Sequence, residues 1–191
     1  MGAIAMAFSR FANDYDRWFD EHSDVYTGQV ALLQRHLPKG PGEMLEIGTG
    51  SGRFASRLGI RHGIDPSPRL IAMAKGRGLE PVLGAGEFLP YRDGTFDGIL
   101  MMTVICFMDD VTLAFQEAFR VLRPKGFLVV AFLEKEGEIA RREERSEGRL
   151  FRYARFYSEP EVAGALAGAG FSQARVRERR EGLCVISAEK R

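Results

Sequence analysis

The chain has 191 residues, room for one domain with a real core or for one domain plus an extension. Its 45% hydrophobic and 28% charged residues are ordinary for a globular protein, and a formal net charge of +1 gives no support for a broad nucleic-acid-binding surface. No apolar run approaches the roughly 20 residues of a membrane span. The start, Met1 to Ala7, lacks a basic region and is short for a secretory signal, so a cytoplasmic protein is expected.

In chain order, Phe8, Phe11, Tyr15, Trp18 and Phe19 fall at helical spacing and predict one amphipathic N-terminal helix. Val30, Leu33 and Leu37 form a second apolar helical face, ended by the Pro and Gly run at 38–42. Met44 to Ile47 reads as the first strand, and Gly48-Thr49-Gly50-Ser51-Gly52 as a turn into a short helix over about Ser51 to Leu58. His62 to Asp65 is a second strand ending in a carboxylate. A helix from Pro68 to about Arg77 and a third strand at Pro81 to Leu83 follow. Phe96 to Thr103 is almost continuously apolar, as a parallel strand buried on both faces requires.

Asp110 to Leu122 predicts a helix with Arg120 and Arg123 placed to suit its dipole. Pro124-Lys125-Gly126 breaks it, and Phe127 to Leu133 is an apolar strand. Residues 134–149 are a mixed-charge run, read as a solvated helix with Glu138 and Arg142 in the favourable i,i+4 order. Ser158-Glu159-Pro160-Glu161 is a capping box with proline in the first turn. Its helix runs to about Gly170, and two strands near Phe171 to Arg177 and Leu183 to Ala188 close the chain. Cys106 and Cys184 sit in apolar segments and read as buried reduced thiols. With only three scattered histidines, no metal site is expected. Strands alternating with helices imply an α/β fold with a parallel, doubly wound sheet, whose ligand sits at the carboxyl ends of the strands.

The glycine turn allows three readings. A P-loop needs Lys and then Ser or Thr after its last glycine, and Arg53-Phe54 stands there instead. A dinucleotide fingerprint needs a small residue at the position of Arg53, for close helix packing. A lone G-x-G could be no more than a tight strand-to-helix connection. Its place at the end of a buried strand carrying Glu46 favours a ligand.

Four motifs then resemble those of the class I S-adenosylmethionine-dependent methyltransferases of the small, type 11 kind. Leu45 to Phe54 resembles the family's first motif, and Gly63-Ile64-Asp65-Pro66-Ser67 its second-strand acidic motif. Glu87 to Asp97 is similar to the E-x-L-P-F-x-D-x-S-F-D stretch, and Leu122 to Leu128 to the L-R-P-G-G-x-L before the fifth strand. The resemblance covers about Met44 to Leu133. It implies a Rossmann-like, mostly parallel seven-stranded sheet with the last strand antiparallel, in a single domain over 1–191. Within it would lie a helical cap at 1–37, a cofactor core at 42–133, a charged and aromatic cap segment at 134–157, and a closing unit at 158–191.

The resemblance also implies S-adenosyl-L-methionine as cofactor and a set of residues to hold it. Gly48, Thr49, Gly50 and Gly52 would let the backbone pass its methionine part, and Glu46 would hold its amino end or else cap the neighbouring turn. Asp65 would accept both ribose hydroxyls, or else cap the Pro68 helix. Pro66 would pack on adenine, with Gly86 and Glu87 at its polar edge. Tyr15 would reach over the cofactor or pack in the core, and Met102 and Thr103 would offer backbone carbonyls. Ala85 replaces an Asp common in the family, so adenine must be met by backbone, Glu87 or water. The interval from Gly50 to Asp65 is short for the family, which implies a trimmed helix.

Transfer of an already activated methyl group needs alignment and exclusion of water more than acid–base machinery, and no catalytic residue is identified. Cys106-Phe107 lies where many relatives have a His. His22 reads as a surface histidine. Arg149, Arg152, Tyr153, Arg155 and Tyr157 read either as a cap favouring an anionic substrate or as a solvated loop with aromatic anchors. The expected reaction is methyl transfer to a small-molecule acceptor. A non-catalytic cofactor-binding protein and a nicotinamide-dependent oxidoreductase are the alternatives. No nucleic-acid or membrane partner is expected, and the oligomeric state is not readable.

Overall fold

The computed structural model describes residues 2–38, 40, 42–145, 150–180 and 182–191. Three helices come first: α1 (Ala3–Arg10), α2 (Ala12–Glu21) and α3 (Ser23–His36). The expected single aromatic helix is therefore two, broken at Phe11. The break lets Phe8 and Phe19 face different neighbours. Phe8 meets Phe107, while Phe19 meets Tyr26 and Phe54.

Strands and helices then alternate through β1 (Met44–Ile47), α4 (Arg53–Leu58), β2 (His62–Asp65), α5 (Pro68–Gly76), β3 (Glu80–Leu83), β4 (Phe96–Met102), α6 (Val111–Val121) and β5 (Leu122–Leu133). The chain ends with α7 (Glu138–Arg145), α8 (Glu159–Gly168), β6 (Ser172–Arg180) and β7 (Leu183–Glu189). The seven strands form one sheet in the order β3-β2-β1-β4-β5-β7-β6. Only β7 is antiparallel to its neighbours, β5 and β6.

The central strands alternate their side chains between two cores, as the two-residue period of a strand requires. Leu45, Ile47, Ile99, Met101, Leu128 and Val130 pack with Phe115 and Ala118 of α6 and with Val162 and Leu166 of α8. Met44, Leu100, Met102, Val129 and Ala131 face the other way, onto Leu33 of α3, Phe54 of α4 and Ala74 of α5. This two-sided burial is why β4 and β5 read as unbroken apolar runs.

Leu122, expected to end the helix, and Pro124-Lys125-Gly126, expected to break it, already belong to β5; Lys125 takes φ +67° there. The end of α6 is held by a residue distant in sequence. Lys190 Nζ donates to the carbonyls of Phe119 and Leu122 at 2.6 and 2.7 Å, whereas Arg120 and Arg123 turn to Glu117, Asp93 and Asp97. At α8 the Glu161 carboxylate accepts from the N–H and hydroxyl of Ser158, at 2.7 and 2.9 Å. Cys106 and Cys184 are free and buried. Among the described residues no helix is long and apolar enough to cross a membrane.

Candidate active site

A cavity of about 490 Å³ opens at the carboxyl ends of β1, β2, β3 and β4, roofed by Gly2 to Ala5 and Phe8 of α1 and by Tyr15 of α2. It straddles the gap between β1 and β4, where the strand order reverses and the two loops part. The glycine turn forms its floor. Gly48 and Gly50 have φ of +72° and +56°, a region that L side chains enter at a cost. The N–H groups of Gly48 and Thr49 both donate to Ile64 O, at 2.8 and 3.1 Å, which ties the turn to β2. A Cβ on Gly48 would collide with Val104, and one on Gly50 would lie 3.0 Å from the Tyr15 hydroxyl oxygen.

Asp65 ends β2 at the cavity wall, 8% exposed. Its Oδ2 accepts from Gly50 N–H and its Oδ1 from Ser67 N–H, each at 2.9 Å. It does not cap the following helix; Ser67 does so, with Oγ accepting from Leu70 N–H at 3.3 Å. Burial pushes the Asp65 carboxyl up to about 6, against the pull of those two N–H groups. The carboxylate faces a cavity with no cation beside it among the described residues and with acceptor capacity left on both oxygens.

Of the residues expected at a cofactor, the structure gathers Tyr15, Gly48, Gly50, Asp65, Pro66, Glu87, Met102 and Thr103 around this one cavity, together with Ala85. Glu46, Thr49, Gly52 and Gly86 do not line it. Glu46 is buried behind the turn, where its Oε2 accepts from the Thr49 hydroxyl at 2.8 Å and from Ala55 N–H at 3.1 Å. It thus ties the turn to the first residues of α4, as in the capping alternative. Burial pushes its carboxyl up to about 8, with the Asp65 charge adding to the shift. Gly52 faces Ala74 and Leu79 and sets the approach of α4 to α5, while Gly86 packs against Ile47 and Met108. Glu87 Oε1 accepts from Asp109 N–H at 2.9 Å, so the loop after β4 folds back onto the loop after β3.

Tyr15 owes its place to an ion network. Arg53 donates from Nε and Nη2 to Asp16 at 2.8 and 3.0 Å and from Nη1 and Nη2 to Asp20 at 2.6 and 2.7 Å. Arg77 joins Asp16 Oδ2 to the Ser51 carbonyl, at 2.8 Å on each side. Burial and then the charges of Asp65 and Glu46 raise the Tyr15 phenol above its usual range, so it stays protonated. The network escaped sequence reasoning, although Asp16 and Asp20 share one face of α2 at i,i+4 and could have been paired with Arg53.

On the far side of the turn, Thr103 follows β4 at φ +49°, an outlier for a β-branched residue. Its N–H is held by Ala131 O at 2.7 Å. Val104, Phe107, Leu150, Phe151 and Tyr153 complete this wall. Of the aromatic anchors expected in the 149–157 stretch, Tyr157 is buried in the core, whereas Tyr153 reaches the cavity. Arg152 and Arg155 do not: both are exposed, and Arg155 lies over the Tyr157 ring. Arg149 lies outside the described residues. His22 is exposed, stacked on Trp18 with ring centroids 4.4 Å apart.

With the geometry in place, comparison with known proteins identifies the family. A family model described as a methyltransferase domain matches residues 45–130. An S-adenosylmethionine-dependent methyltransferase structure from Thermotoga maritima superposes with a TM-score of 0.89 at 33% identity, covering 97% of this chain and 99% of that one. An uncharacterised Methanocaldococcus jannaschii protein is 35% identical over 166 residues, 86% of this chain and 80% of the relative. A malonyl-[acyl-carrier protein] O-methyltransferase of Geobacter sulfurreducens is 31% identical over 91% of this chain and 71% of its own length. The chain belongs to the class I S-adenosylmethionine-dependent methyltransferases.

Proposed function

We propose that the protein binds S-adenosylmethionine in the cavity over the Gly48–Gly50 turn and transfers its methyl group to a small molecule held beside it. The observation that carries this reading is Asp65. It is a nearly buried carboxylate with spare acceptor capacity, facing a cavity and short of donors, which is the environment that two ribose hydroxyls would complete.

The other residues fit the same ligand. Pro66, Ala85 and Leu70 give a flat apolar surface for adenine, with Glu87 at its edge. The bare backbone at Gly48 and Gly50 leaves room for the chain that carries sulfur. Tyr15 closes the site from above and excludes water. When bound, the cofactor supplies an electrophilic methyl group on a sulfonium. The protein then has to align an acceptor and keep solvent out, which this roofed cavity suits.

Calorimetric titration tests the reading. S-adenosylmethionine and S-adenosylhomocysteine are expected to bind and NAD is not; absence of binding by both sulfur ligands would sink it. Asp65→Ala is expected to weaken cofactor binding by at least roughly tenfold, the loss of a charged hydrogen-bond pair. An unchanged dissociation constant removes Asp65 from the site.

A further inference from the structure

The cavity is chemically divided. Of its three carboxylates, Asp65 ends β2 and Glu87 lies on the loop after β3, while the exposed Asp109, on the loop after β4, is tied to Glu87 by its N–H. Apart from Asp109 beside Glu87, the β4 and β5 side holds no carboxylate, imidazole, ammonium or guanidinium among the described lining residues. It is built from rings that touch in series. Phe8 meets Phe107 edge-on at 5.0 Å between centroids, Phe107 meets Phe151 at 5.6 Å, and Phe8 meets Tyr15 at 5.6 Å. Four separate segments supply them: α1, α2, the turn after β4 and the turn at Phe151–Tyr153. The polar side-chain groups among these rings and beside them are the hydroxyls of Tyr15, Thr103 and Tyr153.

We infer that this aromatic chamber takes an uncharged, flat aromatic acceptor and that the methyl group is delivered to a nitrogen lone pair on it. This rests on the methyltransferase reading and narrows it. A carboxylate acceptor would have to shed its hydration against a wall whose described lining residues offer no compensating cation, a cost of several kcal/mol that apolar rings do not repay. A phenol or alcohol would need a base to take its proton. Cys106, nearest in sequence to the ring wall, is buried with its thiol proton toward Thr103 O, and burial pushes that thiol up to about 12.

A neutral nitrogen needs no base. Its lone pair forms the N–C bond, the C–S bonding pair stays with sulfur, and the positive charge passes from sulfur to nitrogen. A nitrogen that bears hydrogen then loses a proton to solvent. Net charge is conserved through the step, and the π faces around it favour a cation in either position.

The test uses the intact chain loaded with S-adenosylhomocysteine and titrated calorimetrically with isoquinoline, naphthol and naphthoate. Transfer of labelled methyl from S-adenosylmethionine to the same three probes is measured in parallel. Isoquinoline and naphthol are expected to bind, naphthoate at least roughly tenfold more weakly, and label is expected on isoquinoline first. Phe107→Ala is expected to weaken isoquinoline binding by roughly tenfold while S-adenosylhomocysteine affinity changes by less than about threefold. Naphthoate binding as tightly as isoquinoline, faster labelling of naphthol or naphthoate, or failure of isoquinoline to bind each overturns the assignment. Absence of S-adenosylhomocysteine binding overturns the methyltransferase reading itself, and with it this one.

Discussion

Arg53 pairs with Asp16 and Asp20 on successive turns of α2, and the two pairs separate bond length from burial. By length alone the Asp20 bonds, at 2.6 and 2.7 Å, are the stronger; those to Asp16 are 2.8 and 3.0 Å. Burial ranks them the other way, because the Asp16 side chain is 17% exposed and that of Asp20 is 67% exposed. A pair open to water gains little, since solvent screens it and both chains must be held still. Asp16 also accepts from Arg77, so its removal breaks three charge-assisted bonds and leaves two guanidinium groups short of a partner.

Charge-assisted bonds are worth roughly 1.5–3 kcal/mol each, but these share donors and are partly wet, so we expect Asp16→Ala to cost about 2–4 kcal/mol. With a urea slope of about 2 kcal/mol/M, that moves the midpoint by about 1–2 M. Asp20→Ala is expected to leave it nearly in place. Trp18, the chain's single tryptophan, lies between the two aspartates on α2, so its fluorescence follows the undocking of that helix while far-UV circular dichroism follows the whole fold. An Asp20→Ala midpoint shift equal to that of Asp16→Ala would refute the argument from burial.

Further outcomes follow from the turn and its carboxylates. Gly48→Ala is expected to cost about 2–4 kcal/mol, from a left-handed backbone and a collision with Val104, whose Cβ would lie 2.6 Å away. Val104→Ala in the same chain removes the Cγ2 that would lie 2.1 Å away but keeps the Cβ, so it is expected to recover only part of the collision cost, and strict additivity in a denaturation cycle would disprove the contact. Glu46 keeps its proton in the folded state up to about pH 8 but loses it near 4.5 when unfolded. The folded state therefore holds the extra proton between those values, and stability falls as pH rises through that window. Glu46→Gln is expected to flatten the profile and to be the more stable form at pH 8 by roughly 3 kcal/mol, and parallel profiles would remove Glu46 as the cause. Cofactor affinity, read calorimetrically, is expected to fall as pH drops through about 6, where Asp65 gains its proton, and to lose that dependence in Asp65→Asn.

The glycine turn and Asp65, the half of the site proposed for the cofactor, were legible because their demands are local. A backbone that must turn sharply at the end of a buried strand selects Gly48 and Gly50. A carboxylate at the end of the next strand needs only Asp65 after Ile64. Both are statements about a few consecutive residues. Glu46 was harder, because the carboxylate needed near the turn and the one needed to cap α4 look alike in sequence; the Ala55 and Thr49 bonds distinguish them. The break at Phe11 was invisible, since aromatic residues continue through it at helical spacing. It becomes intelligible only when Phe8 and Phe19 are seen to serve different neighbours. The ring wall was invisible for a related reason. Phe8, Phe107 and Phe151 are far apart in the chain, and each has a sufficient local explanation as core.

Arg53 links the two halves. Its side chain occupies the position where a dinucleotide site would need a small residue, and close packing of α4 on α5 falls instead to Gly52. Arg53 is thereby free to leave the turn and fasten α2. The consequence runs through contacts. The fastened α2 carries Tyr15, Tyr15 stands over Gly50 and also meets Phe8 edge-on, and Phe8 is the first ring of the aromatic wall. One guanidinium therefore fixes both the ceiling over the glycine turn and the near edge of the aromatic chamber. A residue that first reads as a departure from one nucleotide-binding pattern is, in this fold, what brings the two chambers into register.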